Sequence, residues 1–250
     1  MAATTIDQVL ADLNAIIDWS LAQPSRIGYF ASLYYGVTAD IKSKIGTGFF
    51  NNDALVEQLD VTFANRYLDA VTTFQNGGTL PAGWSVAMQA TGNSQYIILQ
   101  QLLVAMNPHI NIDLGVACAQ VAPTNLPALH PDFLKVNAIL DSMIPIVQNE
   151  IGSISPWMKV LFKVGGVVED DVLNWSMGEA RDFAWDLANM LAPMNAPQQQ
   201  AYIDKMNVVI AQLGHDILDP GELLGALVNL VWSRENHDIV TIIHTLDPTP

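Results

Sequence analysis

Apolar residues recur every three or four positions along nearly the whole chain, and sustained two-residue alternation is scarce. That periodicity commits the chain to helices that each bury one stripe. Ile6, Val9, Leu10, Leu13, Ile16 and Ile17 share such a stripe, with Thr5 placed to cap the first turn. The same reading predicts helices over about 26–44, from Asn52 or Asp53 through ALVEQLDVTFANRYLDAVTTF, and from about Ser94 through the central apolar segment. Further helices are predicted from Phe133, with Pro131 just before it in the first turn, to about Glu150, then over about 171–191, 197–214 and 220–246. Asp219, Pro220 and Glu222 give the last of these a capping-box start. NGGTLPAG and APTNLPALHP read as loops, because Gly and Pro interrupt both helix and strand. The segment 151–170 fits a lid, a short helix or a hairpin. No repeat or low-complexity linker divides the chain, so the expected architecture is all-α, one compact multi-helix bundle-like domain over residues 1–250.

Such a bundle needs a large core. Half of the 250 residues are apolar and only 14% are charged, against about 25% in an ordinary soluble domain. Ten Lys and Arg against 25 Asp and Glu leave a net charge of −15, which disfavours nucleic acid and anionic membrane surfaces as partners. Cys118 is the sole cysteine, so no intramolecular disulfide forms and a reducing compartment fits. The N-terminus lacks a secretory signal pattern, and the run ELLGALVNLVWS falls well short of the ~20 residues of a spanning helix. A cytoplasmic protein without a membrane partner is expected.

The stretch LLVAMNPHINIDLGVACAQ carries Asn107, Pro108, His109, Asn111 and Asp113 inside the greasiest part of the chain. Pro108 is expected to kink or divide the helix there. If helix continues, His109 and Asp113 lie on one face, where they could share a metal ion or where the carboxylate could orient the imidazole. The structural alternative is that they satisfy each other inside the core, with Asn107 capping a helix that begins at Pro108.

A second polar set, Asp60, Asn65, Arg66 and Asp69, interrupts another apolar helix. Asp60 and Asp69 are nine residues apart and face nearly opposite sides, and Asn65 with Asp69 is taken as the inward pair. Arg66 could clamp an anionic group. The alternative is a solvated face with an internal ion pair. Asp132 suits a helix N-terminus, leaving His130 a candidate, and Arg181 and Trp185 are placed to stack. His215, His237 and His244 fit surface or helix-end positions, with His237 and His244 seven apart on one helix face. There is no GxGxxG after a strand, P-loop, GxSxG or HExxH, and one cysteine excludes zinc-ribbon and iron–sulfur sites. Cys118 reads as a small core residue.

LDVTFANRYLDAV, MNPHINIDLGVA, HPDFLKVNAIL and ARDFAWDLANML, in that order over about residues 55–192, resemble the uncharacterised bacterial family catalogued as domain of unknown function 5995. The resemblance marks Asn65, Arg66, Asp69, His109, Asn111, Asp113, Asp132, Asn137 and Arg181 as its motif positions and implies no particular activity.

Buried polar groups must be hydrogen-bonded, paired or metal-bound, so these residues suit a small-molecule site between helices. The leading expectation is an enzyme acting on a small, largely apolar metabolite, as in a tailoring step of specialised metabolism. His109, Asp113 and Arg66 would be catalytic, and Asn65, Asn111, Asn137 and Arg181 would position substrate. A metal version places iron or zinc on His109, Asp113 and Asp69. The competing expectation is a non-catalytic apolar-ligand binding or interaction module with His109 and Asp113 as a structural pair. A homo-oligomer built through the C-terminal helix is a third.

Overall fold

The computed structural model describes residues 2–155 and 169–247. Among them every regular element is helical: α1 (Ile6–Ala22), α2 (Ile27–Lys44), α3 (Asp53–Gln75), α4 (Ala82–Ala90), α5 (Ile98–Pro108), a π-helical turn (His109–Leu114), α6 (Gly115–Val121), α7 (Leu126–Ile154), α8 (Glu169–Leu191), α9 (Ala196–Leu218), α10 (Gly221–Trp232) and α11 (Ile239–Leu246). The all-α architecture is as the periodicity predicts. Side chains also set the starts: Thr5 accepts from the Gln8 amide, Asn52 from Leu55, and Asn195 and Gln198 cap each other reciprocally.

The organising feature is one rod, α5 through α6, contacted by α2, α3, α4, α8 and α9. Pro108 neither divides nor ends it. The missing proline N–H and the bulk of its ring are followed at once by i→i+5 bonding over His109–Leu114, a wider turn within an otherwise α-helical rod. At 24 residues, Ile98–Val121 is long and apolar enough to cross a membrane, which ELLGALVNLVWS is not, but 78% of its most apolar window is buried in this bundle.

The rod's polar residues tie it to its neighbours. Gln100 donates to the carbonyls of Ile217 and Leu218, Gln101 to those of Ala90 and Asn93, and Asn107 to that of Ile210. Each takes up a carbonyl at or near a helix end or within the adjacent helix, so burial costs little. Glu235 accepts from the Ile98 amide at the start of α5. Gly115 lets α8 approach, since a Cβ there would lie 2.6 Å from the Ala184 carbonyl oxygen.

Several boundaries differ from expectation. The helix α4 has no counterpart among the predicted elements. The helix α7 begins at Leu126 instead of after Pro131, with Pro127 in its first turn and Pro131 and Pro145 inside it. The predicted helix 220–246 is two, α10 and α11, separated around Ser233–Asp238, which places His237 outside either helix. The predicted cap at Asp219 is displaced as well: Asp219 closes α9, Pro220 holds the N-cap position of α10, and Gly221 takes the turn with φ +80°. His215, His237 and His244 are exposed. Of the segment 151–170, residues 151–154 finish α7 and 169–170 open α8; the lid, helix or hairpin reading of 156–168 falls outside the described residues.

Candidate active site

His109 sits in the π turn, 2% exposed, and is walled by rings. Phe63 of α3 stacks on it at 3.8 Å with planes 10° apart; Tyr34 lies at 4.7 Å, Phe30 at 5.6 Å, and Tyr67 and Trp84 at 5.9 Å. Its Nδ1 lies 3.4 Å from Asp113 Oδ2, a long contact. Asp113 is held more tightly from outside: Arg66 Nε donates to Oδ1 at 2.7 Å and Trp84 Nε1 to Oδ2 at 2.9 Å. The predicted His109–Asp113 pairing is therefore present, extended by Arg66 on α3 and Trp84 on α4.

The electrostatics divide the pair. Burial pulls His109 below the ordinary imidazole value, and Asp113 only partly opposes it, so the ring is neutral near pH 7. Burial alone would push Asp113 up, but the Arg66 guanidinium and the His109 hydrogen bond outweigh it and hold the carboxylate ionised. A neutral ring with Nδ1–H toward Asp113 leaves Nε2 as the free lone pair, and that atom is buried without a hydrogen-bond partner.

A cavity of about 80 Å³ opens beside this ring between α2, α3, the rod and α7. Its walls are apolar, among them Phe30, Leu59, Phe63, Ile110 and Phe133, and its polar lining residues are Tyr34, Asp60, His109 and Asn137. Asp60 Oδ2, Tyr34 Oη, Asn137 Oδ1 and His109 Nε2 are all buried and have no hydrogen-bond partner among the described residues. Burial, with a smaller contribution from Glu57, pushes the Asp60 carboxyl up to about 7. Burial likewise raises the Tyr34 phenol far above its ordinary value.

Asp60 is the cavity-lining carboxylate that sequence reasoning set aside. It lies on the stripe of Val56, Phe63 and Tyr67, at helical spacings of four, three and seven, and that position on the apolar face was the available signal. Asn65 and Asp69 lie on another face of α3. Asn65 pairs both amide groups with the backbone of Ala3, and Asp69 is exposed in a surface cleft with Asp12 and Trp19. The inward Asn65–Asp69 pair and the metal set His109, Asp113 and Asp69 are thus corrected. Both Asp113 oxygens are already engaged by Arg66 and Trp84, and no three His, Cys, Asp or Glu side chains converge among the described residues. These donors do not fit iron or zinc.

The other candidates separate. Arg66 supports Asp113 and otherwise borders a surface cleft with Gln120, Asp204 and Asn207, so it is no clamp in the His109 cavity. Asn111 donates back to Asn107 within the rod and does not line the cavity. Asn137 does line it, and Arg181 holds that part of α7 by donating to the Asn137 carbonyl and to Asp141. Trp185 packs on His130 and Phe133. Asp132 reaches past its own helix and accepts from the Asn51 and Asn52 amides ahead of α3. Cys118 is fully buried, and burial pushes its thiol up to about 12.

No curated protein and no solved structure matches the chain. Residues 6–220 match one family over most of the sequence, and the chain therefore belongs to the Family of unknown function (DUF5995).

Proposed function

We propose that this protein is an enzyme that acts on a small, largely apolar metabolite by acid–base chemistry at His109 and Asp60. The observation that carries the reading is a buried imidazole braced from behind: Asp113 faces Nδ1, Arg66 and Trp84 hold Asp113, and Nε2 is left unpartnered among the described residues beside a cavity that Asp60 also lines. Neutral His109 is a base, and Asp113 stabilises the imidazolium formed when Nε2 takes a proton. Asp60, with its carboxyl near 7, is suited to give or receive a proton at neutral pH. Among the described residues no serine or cysteine lines the cavity, which favours proton transfer over a covalent intermediate. Phe63 and Tyr34 fix the ring's plane, and Asn137 offers an orienting contact.

The test is turnover in a metabolite extract followed by untargeted mass spectrometry, comparing wild type with His109→Gln and Asp60→Asn. A compound consumed by wild type and by neither variant supports the assignment. Equal consumption by His109→Gln ends it. An apolar-ligand carrier is the second reading, favoured by the closed ring cage around His109; a small molecule that co-purifies unchanged with wild type and both variants supports it.

A further inference from the structure

A second cavity of about 80 Å³ adjoins the first along α5 and α7. The two share Leu33, Val37, Met106 and Leu140 as lining residues, so the same side chains form the far wall of one and the near wall of the other. Among the described residues, and apart from Gln148, the second is lined by aliphatic residues and methionines, ending at Ile151. Apart from Gln148, the polar lining residues of the two cavities therefore belong to the first. From Phe133 to Ile151 the lining on α7 extends about 27 Å at 1.5 Å per residue.

The polar end is rich in acceptors, with the Tyr34 hydroxyl beside them. Asp60 Oδ2, His109 Nε2 and Asn137 Oδ1 are acceptors without donors, and Asp60 and His109 are 5% and 2% exposed. Arg66 lies behind Asp113, and among the described residues no Lys or Arg lines this end. The rings of Phe30, Tyr34 and Phe63 line the same end. An ammonium carries three N–H donors, is attracted to aromatic faces, and is drawn toward a chain of net charge −15. An ionised carboxylate head would find the Tyr34 hydroxyl as a donor but would face the Asp60 carboxyl and the His109 lone pair.

We propose that the ligand of this site is an amphipathic amine, whose ammonium is held by Asp60, His109 and Asn137 and whose slender apolar tail runs into the second cavity along α7. The proposal rests on reading this cavity as the functional site.

Titration calorimetry with octylamine, butylamine, octanol and octanoate tests it. Octylamine is expected to bind with unit stoichiometry and tightest of the four, and octanoate not at all. Tail burial predicts roughly fourfold tightening per methylene, on the order of two hundredfold from butylamine to octylamine. Asp60→Asn is expected to bring octylamine down to the affinity of octanol. Val147→Phe, which narrows only the second cavity, is expected to bring octylamine down toward butylamine. Equal or tighter binding of octanol or octanoate to wild type overturns the amine head, and equal affinities for the two amines overturn the tail site. Unchanged octylamine affinity in both variants assigns the binding to the acidic surface and overturns the proposal. Consumption of a metabolite that depends on His109, without octylamine binding, would discard this ligand class and leave the enzyme reading standing. Specific octylamine binding without any turnover would do the reverse.

Discussion

Asp60 should make the folded protein less stable as pH rises, and replacing it should remove that loss. Its carboxyl moves from an ordinary 3.8 to about 7 on folding, because burial disfavours the charge. A raised carboxyl pKa means that the native state binds this proton more tightly than the unfolded chain. Its stabilising contribution is complete below about 4, declines as pH rises, and is gone above about 7. The full span corresponds to about 4 kcal/mol at ~1.36 kcal/mol per pH unit, and the part between pH 5 and 8 to about 3 kcal/mol. Asp60→Asn keeps the shape and removes the ionisation. Urea unfolding of wild type and variant at pH 5, 6, 7 and 8 isolates the group, since all other titrations cancel in the difference between the two proteins. The variant is expected to gain about 3 kcal/mol relative to wild type between pH 5 and 8, with most of the change below pH 7. A difference that stays constant over that range would show that Asp60 is ionised and solvated in the native state, and the cavity as described would be wrong.

Asp113→Ala strands the Trp84 indole N–H and the Arg66 guanidinium, and should cost about 3 kcal/mol in thermal or chemical unfolding, less where water reaches the partly exposed Arg66. Gly115→Ala forces α8 away from the rod and should cost about 1–3 kcal/mol, seen as a lower unfolding midpoint. His109→Phe preserves the stack on Phe63 and should leave stability within ~1 kcal/mol of wild type while abolishing turnover. Cys118 should react with a thiol reagent only under unfolding conditions, at a rate that falls when the protein is stabilised.

The helical architecture was legible because stripes such as Val9, Leu13 and Ile17 repeat with the helix, and each is buried where the pattern places it. The break between α10 and α11 was not, because Ser233–Asp238 interrupts an apolar pattern that resumes in phase on either side. The short helix α4 escaped notice behind the Gly and Pro residues ahead of it, and with it Trp84, whose indole helps to hold Asp113. At the site, His109 and Asp113 were visible as polar residues in an apolar run. Which carboxylate of α3 joins them depends on helix phase. Asn65 and Asp69 attract attention as a pair, yet their face meets the N-terminal segment and solvent, while Asp60 alone occupies the face toward the rod. The support of Asp113 by Arg66 brings together positions 47 residues apart, and local spacing carries no trace of such a pairing.

The π turn works as a one-residue surplus in the rod's register. Each residue of an α-helix rotates the next by about 100°, so deleting Ile110 and restoring regular winding would swing the two ends of the rod relative to each other by about that angle. Either Gly115 would leave its seat against the Ala184 carbonyl, or the imidazole would turn away from Phe63. The tight seating on α8 and the aromatic box thus share one dependence: both halves of the rod face their partners because it is a residue longer than an ideal helix would require.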